Sequence, residues 1–127
     1  MTTVLITGSR NWTDREFILQ TFKSLQLPLP VTLIHGACRG ADLLAASCAV
    51  ELGWATDPHP ANWKKYGSSA GPIRNIEMLD FNPDIAVGFH DDIRSSKRTK
   101  HCIGEAIARG IPVKLFLHFQ PNVDRYI

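Results

Sequence analysis

The sequence predicts a Rossmann-like α/β fold, in which helices cover both faces of a parallel sheet of about five strands. First, short apolar or β-branched runs alternate with helical patterns along the chain. Second, these runs are apolar throughout, which is typical of strands buried on both faces. Third, 127 residues with 44% hydrophobic and 20% charged residues fit one domain, spanning 1–127, with its own core.

Four runs predict the strands clearly, and a fifth is weaker. The clear runs are TVLIT, VTLIH, DIAVGF and VKLFL, and the weaker one is WATDPHP. With right-handed crossovers and a reversal of direction after the third strand, the strand order is 3-2-1-4-5. The ligand crevice of such folds then lies at the carboxyl ends of strands 1 and 4.

Helical patterns fill the segments between the strands. The first helix is expected to open at Thr13, with the spacing of a capping box. The second runs from about Ala41 to Leu52 and the fourth from roughly Thr99 to Arg109. The third is expected to begin near Pro72, a residue suited to the first helical turn, and this start places Arg74 in that turn.

Composition and charge exclude several classes of protein. No run reaches the roughly 18 apolar residues of a membrane span, and the N-terminus lacks the pattern of a signal peptide, so we expect a cytoplasmic protein without membrane contact. Cys38, Cys48 and Cys102 have no close pairing, which favours reduced thiols. The net charge of +2 does not by itself indicate nucleic acid. Because no His or Cys spacing fits a zinc motif, neither a metal nor another cofactor is expected.

Three loops are predicted to meet at the carboxyl edge of the sheet. Strand 1 leads into GSRNW at 8–12, strand 2 into HGACRGAD at 35–42, and strand 4 into a polar stretch at 90–98. Gly36 and Gly40 permit backbone amides to approach an anion closely, beside the positive end of a helix dipole. The octapeptide lacks the spacing and the lysine of a Walker A loop, so it predicts one wall of a composite site.

Asp42 has two interpretations that the sequence leaves open. In the first turn of its own helix, its carboxylate would stabilise the helix dipole by about 0.3–1 kcal/mol. Alternatively it binds ribose hydroxyl groups, because a carboxylate that faced a phosphate would repel it. Arg39, in the same turn, is assigned to neither the ligand nor the solvent.

The segment PANWKKYGSSAGPIRN, at 60–75, predicts a lid or binding loop, because it is long for a connection and rich in Gly, Ser and aromatic residues. Arg74 fits a phosphate or a carboxylate bidentately, and an ion pair with Glu77 or Asp80 is the alternative. Trp63 and Trp12 are interpreted either as stacking platforms for a base or as hydrophobic cover.

Four of these segments together resemble the YspA-like, cpYpsA-related branch of the SLOG superfamily. They are GSRNW, HGACRGAD, PANWKKYGSSAGPIRNIEM and SKRTKHCIGEA, and they extend over nearly the whole chain. The resemblance implies a Rossmann-like domain whose partner is a nucleotide or a nucleotide-derived small molecule. Relatives include the lonely-guy phosphoribohydrolases, which cleave the base from nucleoside monophosphates, and the DNA-binding protein DprA. Since SLOG relatives often dimerise, the resemblance also implies a homodimer or higher oligomer.

The phosphoribohydrolases supply the residue-by-residue matches that this resemblance implies. The run RNIEM, at 74–78, is similar to their Arg-Lys-x-x-Met segment, whose arginine is catalytic. Thr99 matches the phosphate-seating threonine of their Pro-Gly-Gly-x-Gly-Thr-x-x-Glu motif. The glycine before it is replaced by Arg98, and Cys102 stands where their glutamate assists N-glycosidic cleavage. Asn62 replaces an aspartate that is usual in the YspA-like branch.

The missing glutamate favours binding without hydrolysis, because cleavage at C1′ normally requires a carboxylate. We therefore expect a sensor or sequestering protein for a nucleotide-derived ligand. The alternative is a nucleoside 5′-monophosphate phosphoribohydrolase, in which Arg74 would be catalytic. A DprA-like nucleic-acid module is the second alternative, ranked below a small ligand, and it rests on the basic residues at 94–100. The predicted ligand-binding residues are Gly8, Ser9, Arg10, Trp12, Gly36, Gly40, Asp42, Trp63, Arg74, Asn75 and Thr99.

Overall fold

The computed structural model describes residues 1–118 and contains the predicted parallel sheet. Its strands are β1 (Thr2–Gly8), β2 (Val31–His35), β3 (Ala55–Pro58), β4 (Ile85–Phe89) and β5 (Val113–Phe116). Every pair of neighbouring strands is parallel, and the order is β3-β2-β1-β4-β5. The predicted Rossmann-like fold and its strand order are therefore confirmed.

Helices connect the strands and pack on the sheet. They are α1 (Arg15–Ser24), α2 (Ala41–Glu51), α3 (Trp63–Tyr66), α4 (Ala70–Leu79) and α5 (Arg98–Ala108), and short 3-10 turns lie at Gly67–Ser69 and Ile93–Ser95. Helix α1 packs against α2, and α4 packs against α5. Within the described part of the chain, no helix has the length and apolar character needed to cross a membrane.

Both faces of the central strand β1 are buried, as its apolar sequence predicts. Val4 and Ile6 pack in a core cluster with Ile18 of α1, whereas Leu5 packs in a separate cluster with Met78 of α4. Successive side chains of a strand point to opposite faces, so an uninterrupted apolar run serves a sheet that has helices on both sides.

The predicted starts of two helices were wrong by one or two residues. The N-cap of α1 is Asp14 rather than Thr13, because the Asp14 carboxylate accepts a hydrogen bond from the amide of Phe17 at 3.0 Å. Helix α4 begins at Ala70, two residues before Pro72. The proline still lies in the first turn, where the amide has no intrahelical partner. Arg74 consequently lies in the second turn of α4, not in the first.

The close contact between β1 and α2 requires the glycine that ends β1. A Cβ atom on Gly8 would lie 2.5 Å from the Cβ of Ala41 and 2.6 Å from the carbonyl oxygen of Phe89. The N-terminus of α2 can therefore approach the end of β1 only because residue 8 has no side chain. This contact brings the first two predicted loops together at the carboxyl edge of the sheet.

Candidate functional site

A cavity of about 400 Å³ lies at the carboxyl edge, where the ends of β1 and β4 meet the start of α5. Its volume falls within the range of roughly 300–1,000 Å³ that is common for small-molecule sites. We call it the first cavity. The predicted ligand-binding residues that line it are Gly8, Ser9, Arg10, Asp42, Arg74, Asn75 and Thr99.

A second cavity of about 420 Å³ adjoins the first. Arg10 and Cys38 line both cavities, so the two form one cleft. Two more predicted residues, Gly36 and Trp63, line the second cavity. The structure thus brings most of the predicted site together, although in two compartments rather than one.

Arg74 is buried, with 5% of its surface exposed, and connects three segments of the chain. Its Nη1 atom donates to the carbonyl oxygen of Gly36 at 2.8 Å and to that of His59 at 3.5 Å, and its Nε atom donates to Asn75 Oδ1 at 3.1 Å. In the described residues it forms no salt bridge, so the predicted alternative pair with Glu77 or Asp80 is absent. The guanidinium group positions the turn after β2.

Asp42 holds the same turn from the helix side. Its Oδ2 atom accepts a hydrogen bond from the amide of Gly36 at 2.9 Å, and the side chain is buried. Burial raises the pKa of Asp42 to about 6, although the Arg74 guanidinium and the Gly36 amide act in the opposite direction. A carboxyl group with this pKa changes its charge in the range between weakly acidic and neutral pH.

The two glycines of the turn accommodate groups of the protein itself. A Cβ atom on Gly36 would collide with the Arg74 guanidinium, and one on Gly40 would collide with the carbonyl oxygen of Ser9. Gly40 also has a φ of +81°, a backbone angle that residues with a side chain rarely adopt. The amide of Gly36 donates to Asp42 and the amide of Ala37 donates to His35 Nδ1. These glycines therefore permit internal contacts, and the two amides are not directed at a ligand.

The two tryptophans predicted at the site differ in their surroundings. Trp12 lies in the hydrophobic core, where its ring stacks on His118 at 4.3 Å and its Nε1 atom donates to the carbonyl oxygen of Asp14. It lines neither cavity, which agrees with its interpretation as hydrophobic cover. Trp63 is 41% exposed at the second cavity, and the guanidinium carbon of Arg98 lies 4.6 Å from its ring centroid.

The N-terminus of α5 faces the first cavity with cationic side chains. Its N-cap, Lys97, makes no side-chain capping bond, and the first turn contains no acidic residue. Burial and the neighbouring guanidinium groups of Arg10 and Arg74 lower the pKa of Arg98. Like charges are therefore concentrated beside the positive end of a helix dipole, a position that favours an anion.

The arginines of the cleft differ from those elsewhere in their partners. Arg15 and Arg109, outside the cleft, form salt bridges with carboxylates at 3.0 Å and 2.8 Å. Within residues 1–118, no arginine that lines the cleft has a carboxylate in salt-bridge distance. The cleft arginines are Arg10, Arg39, Arg74 and Arg98.

Cys102 is the residue that the resemblance matches to the glutamate of the phosphoribohydrolases. It is fully buried in the core and does not line the first cavity. Burial raises the pKa of its thiol to about 12. The thiol is therefore protonated at neutral pH and is separated from any ligand in the cavity.

Several residues of the first cavity were not predicted individually. Asn11, Cys38, His90, Ser95, Ser96 and Lys97 are among them. The stretch 90–98 was expected at this edge, but only Ser96 carried a local signal. It lies three residues before Thr99, and its hydroxyl oxygen accepts a hydrogen bond from the Thr99 amide at 3.0 Å. Of the basic cluster at 94–100, only Lys97 and Arg98 line the cavity.

The fold and the cleft together define a Rossmann-like domain with a polar, cationic site at its carboxyl edge. Residues 2–66 match the model of the YAcAr family, described as the YspA, cpYpsA-related SLOG family. The Gene 61 protein of Mycobacterium phage D29 is 38% identical over 120 residues, which cover 89% of this chain and 94% of that protein. A comparison with solved structures gives no significant match.

The chain belongs to the YspA, cpYpsA-related SLOG family, and the resemblance found in its sequence is confirmed. Membership of this family indicates, in general terms, the binding of a nucleotide-related ligand.

Proposed function

We propose that the protein binds a phosphate-bearing, nucleotide-derived ligand in the cleft and acts as a sensor or sequestering protein. The observation that carries this proposal is that the cleft arginines have no carboxylate partners within residues 1–118. Guanidinium groups form strong, often bidentate hydrogen bonds with phosphate oxygens. In the described residues these four arginines share the cleft with one carboxylate, Asp42, so an anionic ligand would balance the positive charge that remains.

The residues of the first cavity fit the parts of a nucleotide. Arg98 and Arg10 are assigned to the phosphate, with the hydroxyl groups of Thr99 and Ser9 as additional donors. Asp42 lines the same cavity and, when ionised, can accept hydrogen bonds from ribose hydroxyl groups. Trp63 is partly exposed, and the face of its ring opposite the Arg98 guanidinium is assigned to stacking on a base.

Two features support binding rather than N-glycosidic cleavage. The buried thiol of Cys102 supplies neither a carboxylate nor a group in contact with the cavity. Arg74, the match to the catalytic arginine, already donates to Gly36, His59 and Asn75. We therefore assign Arg74 a positioning role.

Calorimetric titration with 5′-AMP and 5′-GMP tests the proposal. Arg98→Ala is expected to weaken binding by about ten- to hundredfold, because a hydrogen bond to a charged group contributes roughly 1.5–3 kcal/mol. The matched control is Lys23→Ala, which removes one positive charge from the exposed end of α1, outside both cavities. Its affinity is expected to equal that of the wild type.

Three results would contradict this proposal. The absence of binding to mono- and dinucleotides would remove the nucleotide site altogether. Release of free adenine or guanine during incubation, detected by chromatography, would favour the phosphoribohydrolase alternative. Binding of DNA or RNA that weakens steeply with salt, without affinity for mononucleotides, would favour the nucleic-acid alternative.

A further inference from the structure

The second cavity is not explained by one phosphate group in the first. It is as large as the first cavity, and it has its own basic residue, Arg39. Pro60, Ala61 and Trp63 form its apolar side. A mononucleotide whose phosphate lies beside Arg98 would leave Arg39 without a role.

Arg39 lies in the turn between β2 and α2 and is exposed. Within residues 1–118 it has no carboxylate partner, and no carboxylate lines the second cavity in this part of the chain. The turn that presents it is held by the buried contacts of Arg74 and Asp42 with Gly36. An exposed guanidinium group that lines a cavity, on a turn with internal support, is suited to bind an anion.

The cationic residues are divided between the two cavities in a definite order. Arg74, Lys97 and Arg98 line only the first, Arg39 lines only the second, and Arg10 lines both. The carboxylate of the cleft, Asp42, is in the first cavity. The positive charge therefore continues from one cavity into the other, past the exposed ring of Trp63.

We infer that the ligand is a nucleotide with two phosphate groups separated by a sugar. One phosphate binds in the first cavity at Arg98, and the other binds in the second cavity at Arg39. Arg10 lies between them, and Trp63 contacts the nucleoside that connects them. This inference rests on the proposed function and extends it from one phosphate site to two.

The test compares three ligands of one nucleoside, in an adenosine series and a guanosine series. The probes are the 5′-monophosphate, the 5′-diphosphate and the 3′,5′-bisphosphate. The wild type is expected to bind the bisphosphate at least about tenfold more tightly than the monophosphate, with a smaller gain for the diphosphate. In Arg39→Ala the ratio of bisphosphate to monophosphate affinity is expected to fall to about one, whereas Arg39→Lys retains part of the gain and Lys23→Ala retains all of it.

The outcomes separate this inference from the proposed function. Equal affinities for the monophosphate and the bisphosphate in the wild type would overturn the inference and leave the nucleotide site in place. A diphosphate that binds as tightly as the bisphosphate would overturn it too, since adjacent phosphates would then suffice. An unchanged ratio in Arg39→Ala, with an unchanged melting temperature, would show that Arg39 does not bind the second group. Failure of every nucleotide to bind would remove the proposed function itself.

Discussion

Charged side chains that line the cleft and those that lie outside it differ in what they contact. Outside the cleft, Arg109 pairs with Asp80 at 2.8 Å, and His118 contacts carboxylates of Asp91 and Asp14 at 2.7 Å and 2.9 Å. In residues 1–118, none of the cleft arginines has a carboxylate within salt-bridge distance. These pairs outside the cleft balance their charges within the protein, whereas the described part of the cleft holds four arginines and one carboxylate, Asp42.

Aspartates in the two regions show opposite pKa shifts. Outside the cleft, hydrogen bonds from the Phe17 amide and from His118 lower the pKa of Asp14. In the cleft, burial raises the pKa of Asp42 to about 6. The folded protein thus stabilises the charged form of Asp14 and the neutral form of Asp42, because the balance between hydrogen bonding and desolvation differs between the two sites.

The largest expected effect is the loss of stability in Arg74→Ala. Removal of this buried guanidinium leaves the carbonyl oxygen of Gly36 and the amide oxygen of Asn75 without the donors that they now have. Each buried acceptor left without a donor costs about 1–3 kcal/mol, so we expect a loss of about 2–6 kcal/mol in the free energy of unfolding, measured by urea denaturation.

The matched variant is Arg109→Ala, which removes a peripheral, partly exposed salt bridge with Asp80. Its expected loss is about 1 kcal/mol or less, because solvent screens such a pair. Equal losses in the two variants would show that the buried contacts of Arg74 do not hold the turn.

A second, somewhat smaller effect is expected in the pH dependence of stability in Asp42→Asn. The folded-state pKa of Asp42 is raised from 3.8 to about 6, so the folded protein binds this proton more tightly than the unfolded chain does. The resulting stabilisation is present below about pH 4 and is lost as the pH rises through about 6, with a total of roughly 2–3 kcal/mol.

Asp42→Asn removes this titration, so the difference in unfolding free energy between wild type and variant should change between about pH 4 and pH 7. Stability curves measured by denaturant titration at several pH values provide the comparison. Parallel curves would mean that the pKa of Asp42 does not differ between the folded and unfolded states.

The smallest expected effect lies outside the cleft, in His118→Gln. Hydrogen bonds to Asp91 and Asp14 raise the pKa of His118. The stabilisation is therefore fully present below its ordinary value of 6.5 and is lost as the pH rises through the folded-state pKa. The difference in melting temperature between wild type and variant should be largest at mildly acidic pH and should shrink with added salt. A difference that is independent of pH would contradict the charged contact.

The sequence predicted the fold more completely than the site. Apolar runs such as the one that forms β1 indicated strands buried on both faces, and the alternation with helices indicated the parallel order. The predicted start of α4 was two residues too late, because Pro72 indicates the first turn of the helix and not its first residue. The edge at which the site lies followed from the strand order alone.

By itself, the sequence determined which loops reach the carboxyl edge, because strand and helix patterns are local and fix where each loop emerges. Only the tertiary structure decided which polar groups already have a hydrogen-bond or ion-pair partner within the protein. Arg74 donates to Gly36, which is 38 residues away, and His118 contacts Asp14 across 104 residues. Such partners depend on how distant segments pack, which no local pattern contains. The packing therefore separated arginines that pair with a carboxylate from arginines that have none within salt-bridge distance.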